Sequence, residues 1–325
     1  MKISVIGAGA FGFSMSKRLS SKGVNEVWVW AESQEKVDEY ESSGKISVVL
    51  GGHPLPKGLK MTASMKDAVE GASIVFILTT SRFVASVCEN LAPHIDDSTI
   101  VVVGTKGACP DGSLPAMAAM RVLGRDVAAI AGPGFAIDII EDVPVGFTFA
   151  TRHPEELETV KEAFAQDPHV TLDLSDDVMG IELCSCIKNA AALCCGALYG
   201  AGYPITTQCL FLQRMMGDLR SMLEMLDGGS GDTSTSLAGL GDLILTCFSP
   251  KSRNGSFGRI VGEHGFDSAE AKSYLESNTV EGLTVVGQWN DMSEKLGIQS
   301  DFMDIATQVF SDSGDVNQLV GYILK

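Results

Sequence analysis

Lys2-Ile3-Ser4-Val5-Ile6-Gly7-Ala8-Gly9-Ala10-Phe11-Gly12 decides how this chain is read. A short apolar run leads directly into Gly-x-Gly-x-x-Gly, and residues 14–21 continue at helical spacing. In that strand–turn–helix setting Gly7 permits the tight turn, Gly9 lets the backbone approach a pyrophosphate, and Gly12 lets the helix pack close on the strand. The helix N-terminus then offers oriented N–H groups and a partial positive charge to phosphates. A glycine turn without a ligand is the bland alternative, and the flanking strand and helix weigh against it.

Outward from this turn, short β-rich runs alternate with helical patterns. Residues 3–6, 26–30, 74–78, 99–103 and 127–131 read as buried strands, and 14–21, 34–42 and 82–92 as helices between them. Alternation at this spacing implies right-handed crossovers and a doubly wound, Rossmann-like, mostly parallel sheet. Residues 146–150 and 170–174 are candidates for further strands. Beyond Asp176 the strand patterns stop: 180–197, 207–226, 268–275, 280–296 and 303–310 read as helices, with 227–236 a Gly/Ser/Thr-rich loop. The expected architecture is a dinucleotide-binding α/β domain over 1–176 and an all-α substrate and catalytic domain over 177–325. The cleft between them is the default ligand site.

The 45% apolar share over 325 residues supports a real core and excludes a disordered chain. With 41 acidic against 24 basic residues, the formal charge is −17. Such a surface repels polyphosphate, which argues against a nucleic-acid binder or a polybasic membrane-surface protein. An anionic ligand therefore needs a locally built positive field. Eight cysteines in a chain this long do not suggest a disulfide framework. The apolar opening is cut short by Gly7, and the apolar stretch 181–199 carries Glu182 and Lys188. No leader is read at the start, and a soluble, cytoplasmic protein is the expectation.

Glu32 stands 25 positions after Gly7, just past the second expected strand. An acid there accepts hydrogen bonds from an adenosine ribose diol and repels a 2′-phosphate, so NAD is expected over NADP. A solvated glutamate at a helix start remains the alternative. Lys188 lies in Glu182-Leu183-Cys184-Ser185-Cys186-Ile187-Lys188-Asn189-Ala190-Ala191-Ala192, a helix small and apolar on nearly every face. Burial would lower its pKa and suit it to proton transfer, whereas a snorkelling surface lysine is the plain reading. Gly104-Thr105-Lys106-Gly107 closes the fourth expected strand at the ligand-binding edge of such sheets. Gly239-Leu240-Gly241-Asp242-Leu243 sets an acid in apolar surroundings, where it needs a cation. Ser252-Arg253-Asn254 joins a guanidinium fork to hydroxyl and amide donors, a set that suits phosphate, although an ordinary polar turn has the same composition.

These segments, with Gly132-Pro133-Gly134-Phe135-Ala136 and Val280-Glu281-Gly282, resemble in order and spacing the motif set of the NAD(P)-dependent glycerol-3-phosphate dehydrogenases over essentially the whole chain. The resemblance implies an oxidoreductase that interconverts sn-glycerol 3-phosphate and dihydroxyacetone phosphate, linking glycolysis to glycerophospholipid synthesis. By it, Lys188 is the catalytic lysine, Lys106 a second lysine contacting substrate and cofactor, and Asp242 the acid that orients Lys188. Asn189, Ser252, Arg253, Asn254, Gly132 and Gly134 fall at substrate positions. Gly7, Gly9, Ala10, Phe11, Gly12, Glu32, Phe83, Ala136, Arg253 and Glu281 fall at cofactor positions. Glu32 and Gly134 depart from the bacterial branch, which favours Arg and Ser or Thr there; Gly134 leaves strict substrate identity open. The alternatives are a ketopantoate-type or other phosphorylated-polyol dehydrogenase, and a non-catalytic NAD-binding sensor. Cys184, Cys186, Cys194 and Cys195 do not share one helix face, so packing is preferred to a metal site and none is expected. A homodimer is expected from the apolar helices of the second domain.

Overall fold

Residues 74–77 and 100–103 carry Val, Ile and Phe on both faces, which only a strand covered on both sides can bury; every one of them is buried. The computed structural model describes residues 1–46, 50, 52–165, 167–312 and 314–325. Among them an eight-stranded sheet is built from β1 (Lys2–Ile6), β2 (Glu26–Trp30), β3 (Lys60–Thr62), β4 (Ile74–Ile77), β5 (Ile100–Val103), β6 (Ala128–Ala131), β7 (Val145–Ala150) and β8 (Val170–Ser175), in the order β3-β2-β1-β4-β5-β6-β7-β8. Strands β1 to β6 run parallel, β7 is antiparallel to β6, and β8 is parallel to β7. The expected doubly wound, mostly parallel sheet is present. Its three-residue edge strand β3 is too short to leave a periodic signal.

The helices between the strands are α1 (Ala10–Leu19), α2 (Gln34–Ser43), α3 (Met65–Val69), α4 (Val84–Leu91), α5 (Pro115–Leu123), α6 (Ala136–Ile140) and α7 (Pro154–Phe164). Helices alone follow: α8 (Val178–Gly200), α9 (Ile205–Met225), α10 (Asp242–Phe248), α11 (Arg253–His264), α12 (Ala269–Ser277), α13 (Glu281–Gly287), α14 (Trp289–Leu296), α15 (Asp301–Val309) and α16 (Asn317–Ile323). The single helix expected over 280–296 is instead two, α13 and α14. The chain leaves helical geometry at Gln288, and the Trp289 indole turns inward to donate to Asp304 Oδ1 at 2.7 Å. The chain forms two compact units, Met1–Thr105 with Pro115–Val178, and Lys106–Leu114 with Met179–Lys325.

Within the first unit a buried arginine fixes α1. Arg18 donates to the Ile139 and Val143 carbonyls, both at 2.6 Å, and pairs with buried Asp167 at 3.1 Å. A cation in the last turn also complements the helix dipole. Its ion pair and two carbonyl acceptors offset the desolvation of the charge.

Within the second unit α8 is long and apolar enough to cross a membrane, but its apolar window is wholly buried in the fold, as in a core helix. It meets α11 backbone to backbone. A Cβ added at Gly196 would lie 2.2 Å from the Gly255 carbonyl oxygen, at Gly258 2.0 Å from that of Leu193, and at Gly262 2.1 Å from that of Ala197. Small residues at four-residue spacing on both helices make this approach possible. Gly258→Ala is therefore expected to destabilise the protein by about 1–3 kcal/mol or more. Gly217→Ala, on an exposed face of α9 with nothing within 4 Å, is expected to gain about 0.5–1 kcal/mol. Urea unfolding of the two variants measures both.

Candidate active site

In the first unit the loops after β1, β2, β4 and β6 leave the same edge of the sheet, because these strands are parallel. The three glycines after β1 serve different needs. Gly7 has φ +129°, and a Cβ there would lie 2.6 Å from the Leu78 carbonyl oxygen. A Cβ on Gly12 would lie 1.9 Å from the Gly7 carbonyl oxygen, whereas one on Gly9 meets nothing within 4 Å. Gly9 is also the N-cap of α1, and no side chain caps that end. An open cradle below uncapped N–H groups is what a pyrophosphate requires, so Gly7, Gly9, Ala10, Phe11 and Gly12 fit a dinucleotide.

The Gly7 N–H donates to the Trp30 carbonyl at 3.2 Å, which ties the turn to the end of β2, two residues before Glu32. Glu32 is exposed and ion-paired with Lys36, and that hydrogen bond holds its carboxyl below the usual range. Phe83, 46% exposed, ends a short turn after β4, with the Arg82 guanidinium 4.6 Å above its ring. Gly132 and Gly134 follow β6, and Ala136 opens α6. At Gly134 the place of a side chain is taken by Ile139, whose Cδ1 would lie 2.9 Å from an added Cβ. Two residues that the motif reading missed brace this edge. The Tyr40 hydroxyl donates to the Ala8 carbonyl at 3.2 Å, with its ring edge-on to Phe13, and the Ser14 hydroxyl donates to the Ala136 carbonyl at 2.7 Å.

In the second unit Lys188 is not a snorkelling lysine. It is 4% exposed on α8 and donates to the carboxylate of Asp242, itself 2% exposed. Asp242 opens α10 directly after a π-helical turn, Leu237–Gly241, and the Thr246 hydroxyl donates to its backbone carbonyl at 2.6 Å. The start of α10 also favours a negative charge at this position. Next along α8, Asn189 Oδ1 accepts from Asn254 Nδ2 at 2.9 Å, and Asn189 Nδ2 donates to Glu281 at 3.3 Å. Asn254 Oδ1 in turn accepts the Gly282 N–H at 2.9 Å. The amide pair thereby joins α8, α11 and α13. Ser252 caps α11 through the Gly255 N–H at 3.1 Å. Arg253 beside it is exposed, and among the described residues its guanidinium makes no hydrogen bond or ion pair.

Burial lowers Lys188 from its ordinary 10.5 to about 8; the Asp242 and Glu281 carboxylates oppose that shift, and the Lys106 ammonium adds to it. Lys106 thus acts on Lys188 from within the same unit. The group is a cation that can lose and regain its proton near neutral pH, beside a second cation and a set of fixed amides. Such an arrangement can stabilise and protonate an oxygen that gains negative charge.

Residues 2–157 match the model of the N-terminus of the NAD-dependent glycerol-3-phosphate dehydrogenases, and residues 177–321 that of their C-terminus. A glycerol-3-phosphate dehydrogenase [NAD(P)+] of Parvibaculum lavamentivorans is 30% identical over all of this chain and 96% of its own. The chain belongs to the NAD-dependent glycerol-3-phosphate dehydrogenase family. The enzyme of that name from Coxiella burnetii is 28% identical over 99% of this chain and 96% of its own. A solved structure of glycerol-3-phosphate dehydrogenase from C. burnetii superposes with a TM-score of 0.88 at 28% identity, covering 100% of this chain and 98% of that one. The ketopantoate-type alternative is set aside by the family match.

The causes of the Lys188 shift give a direct test. Asp242→Asn removes the carboxylate that raises it, so Lys188 is expected to titrate below about 8; Lys106→Met removes a repelling charge, and Lys188 is expected to titrate above it. NMR titration of protein labelled with 13C at lysine Cε reads both.

Proposed function

We propose that the chain interconverts dihydroxyacetone phosphate and sn-glycerol 3-phosphate with NAD(H), using Lys188 as the proton donor and acceptor. The observation that carries this reading is the buried Lys188–Asp242 pair, with its amine lowered to about 8. Bound nicotinamide supplies the hydride in one direction and takes it in the other. Hydride arrival at a ketone carbon builds negative charge on its oxygen. The Lys188 ammonium stabilises that charge and donates its proton, and the neutral amine takes the proton back in oxidation. Asp242 fixes the direction of the amine, Asn189 holds the neighbouring amide network, and Lys106 adds a second cation at the substrate.

Arg253 is the free guanidinium of the site, and a phosphate is its natural bidentate partner. With Ser252, Asn254 and the backbone at Gly132 and Gly134, it forms the proposed substrate set. Because Ile139 closes the space at Gly134, discrimination rests on the phosphate rather than on a hydroxyl at that position. The proposed cofactor set is the glycine turn with Ala10, Phe11, Glu32, Phe83, Ala136, Lys106, Arg253 and Glu281. Ionised Glu32 accepts from a ribose diol and repels a 2′-phosphate, which supports NAD over NADP.

Lys188→Ala is expected to lower kcat for dihydroxyacetone phosphate reduction by at least roughly 10²-fold while NADH binding persists. Arg253→Ala is expected to raise KM for the phosphorylated substrate more than it lowers kcat. Steady-state kinetics with NADH and NADPH in parallel check these outcomes. Near-normal turnover by Lys188→Ala refutes its role, and equal or better use of NADPH refutes the cofactor preference.

A further inference from the structure

We propose that Lys295, on α14, is a positioning residue: it clamps the segment 106–114 and so holds Lys106 beside Lys188. The proposal rests on the glycerol-3-phosphate reading only for the roles of the two lysines. The segment leaves β5 and returns at α5, both in the first unit, yet residues Lys106–Leu114 pack with the second. Its shape is set locally. The Gly112 N–H donates to the Cys109 carbonyl and the Cys109 N–H to the Ser113 carbonyl, both at 2.9 Å, which closes a tight turn around Pro110 and Asp111. Asp111 Oδ1 accepts from the Ser113 hydroxyl at 2.6 Å and from the Ser113 N–H at 3.1 Å.

This closed turn is seated on α14 in two ways. Lys295 Nζ donates to the Asp111 carbonyl at 2.6 Å and to Asp111 Oδ2 at 3.1 Å. Gly112, at φ +75°, lies against the helix so closely that a Cβ would sit 2.9 Å from Asp291 Cβ and 3.1 Å from its carbonyl carbon. A surface ion pair alone holds little. Here the same ammonium takes both a carboxylate and a backbone carbonyl of a turn that is already rigid and in backbone contact with the helix. Between the turn and Lys106 lie Gly107 and the buried Ala108. A shift of Asp111 is therefore passed along a few residues of chain to the Lys106 ammonium.

What Lys106 does at Lys188 gives a readout that a merely structural tie would not move. Among the groups that act most strongly on Lys188, the carboxylates of Asp242 on α10 and Glu281 on α13 favour the protonated form and Lys106 opposes it. Lys295→Met keeps the length of the stem and loses the ammonium, so the segment carrying Lys106 loses this clamp. The Lys188 titration, followed by NMR of protein labelled with 13C at lysine Cε, is then expected to move up from about 8. KM for dihydroxyacetone phosphate is expected to rise roughly 3- to 10-fold, since small misplacements of a binding group are costly. Lys295→Arg, which can still bridge carbonyl and carboxylate, is expected to restore both. Asp111→Asn, which loses the ion pair and keeps the carbonyl acceptor, is expected to shift the titration in the same direction by less. An unchanged Lys188 titration in a folded Lys295→Met protein overturns the proposal. If the unmodified protein fails to reduce dihydroxyacetone phosphate, the functional reading falls, while the substrate-free titration still decides whether Lys295 positions Lys106.

Discussion

A lysine ammonium inside a long, buried and largely apolar helix is the constraint around which the second unit is built. Lys188 can be carried there because the Asp242 carboxylate, at the start of α10, accepts its hydrogen bond, so that each buried group has its partner. Removing either partner leaves the other uncompensated in a buried setting, which is costly. The rest of the site follows from holding the two in register. Glycines on α8 and α11 let the helices touch backbone to backbone, which brings Asn254 to Asn189, and Gly282 then seats α13 on the same amides.

A chain of charge −17 has to assemble its positive field locally. The sheet unit uses the uncapped end of α1, whose N–H groups add no net charge. The helical unit uses full charges: Lys106, Lys188 and Arg253. Placing two ammonium groups near each other is itself a means of control. Lys106 and burial both weaken the hold of Lys188 on its proton, and the two carboxylates stop that shift at about 8. Stronger pairing would leave a permanent cation, and weaker pairing a neutral amine; neither could serve both directions of a reversible reduction.

The sheet was largely legible in the sequence because fully buried parallel strands leave continuous apolar runs, as at 74–77 and 100–103. The glycine turn was legible for the same reason that it is needed: the Cβ clashes at Gly7 and Gly12 admit no other residue, while Gly9 stays open for a ligand. Lys188 and Asp242 stood out as charges in apolar surroundings; their pairing was implied by the family resemblance, and the hydrogen bond between them is seen in the fold. Other features gave no local signal. Edge strand β3 spans three residues, and the break between α13 and α14 interrupts an otherwise continuous helical pattern. Tyr40, Ser14 and Lys295 act through backbone carbonyls far away in sequence, and a carbonyl acceptor carries no residue type for a motif to record. The glycines by which α8 and α11 touch gave no signal either, because the reason for each lies in the backbone of the other helix.

The most direct test of the central claim is the pH dependence of the two reaction directions measured on one preparation. In the proposed mechanism reduction draws on the Lys188 ammonium, which is present below about pH 8 and lost above it, and oxidation on the free amine, with the opposite dependence. The kcat/KM for dihydroxyacetone phosphate reduction by NADH, which reports the free enzyme's groups, should therefore fall, and that for glycerol 3-phosphate oxidation rise, across a common midpoint near 8. Profiles that stay level through that range in both directions would contradict a buried lysine as the group that moves the proton.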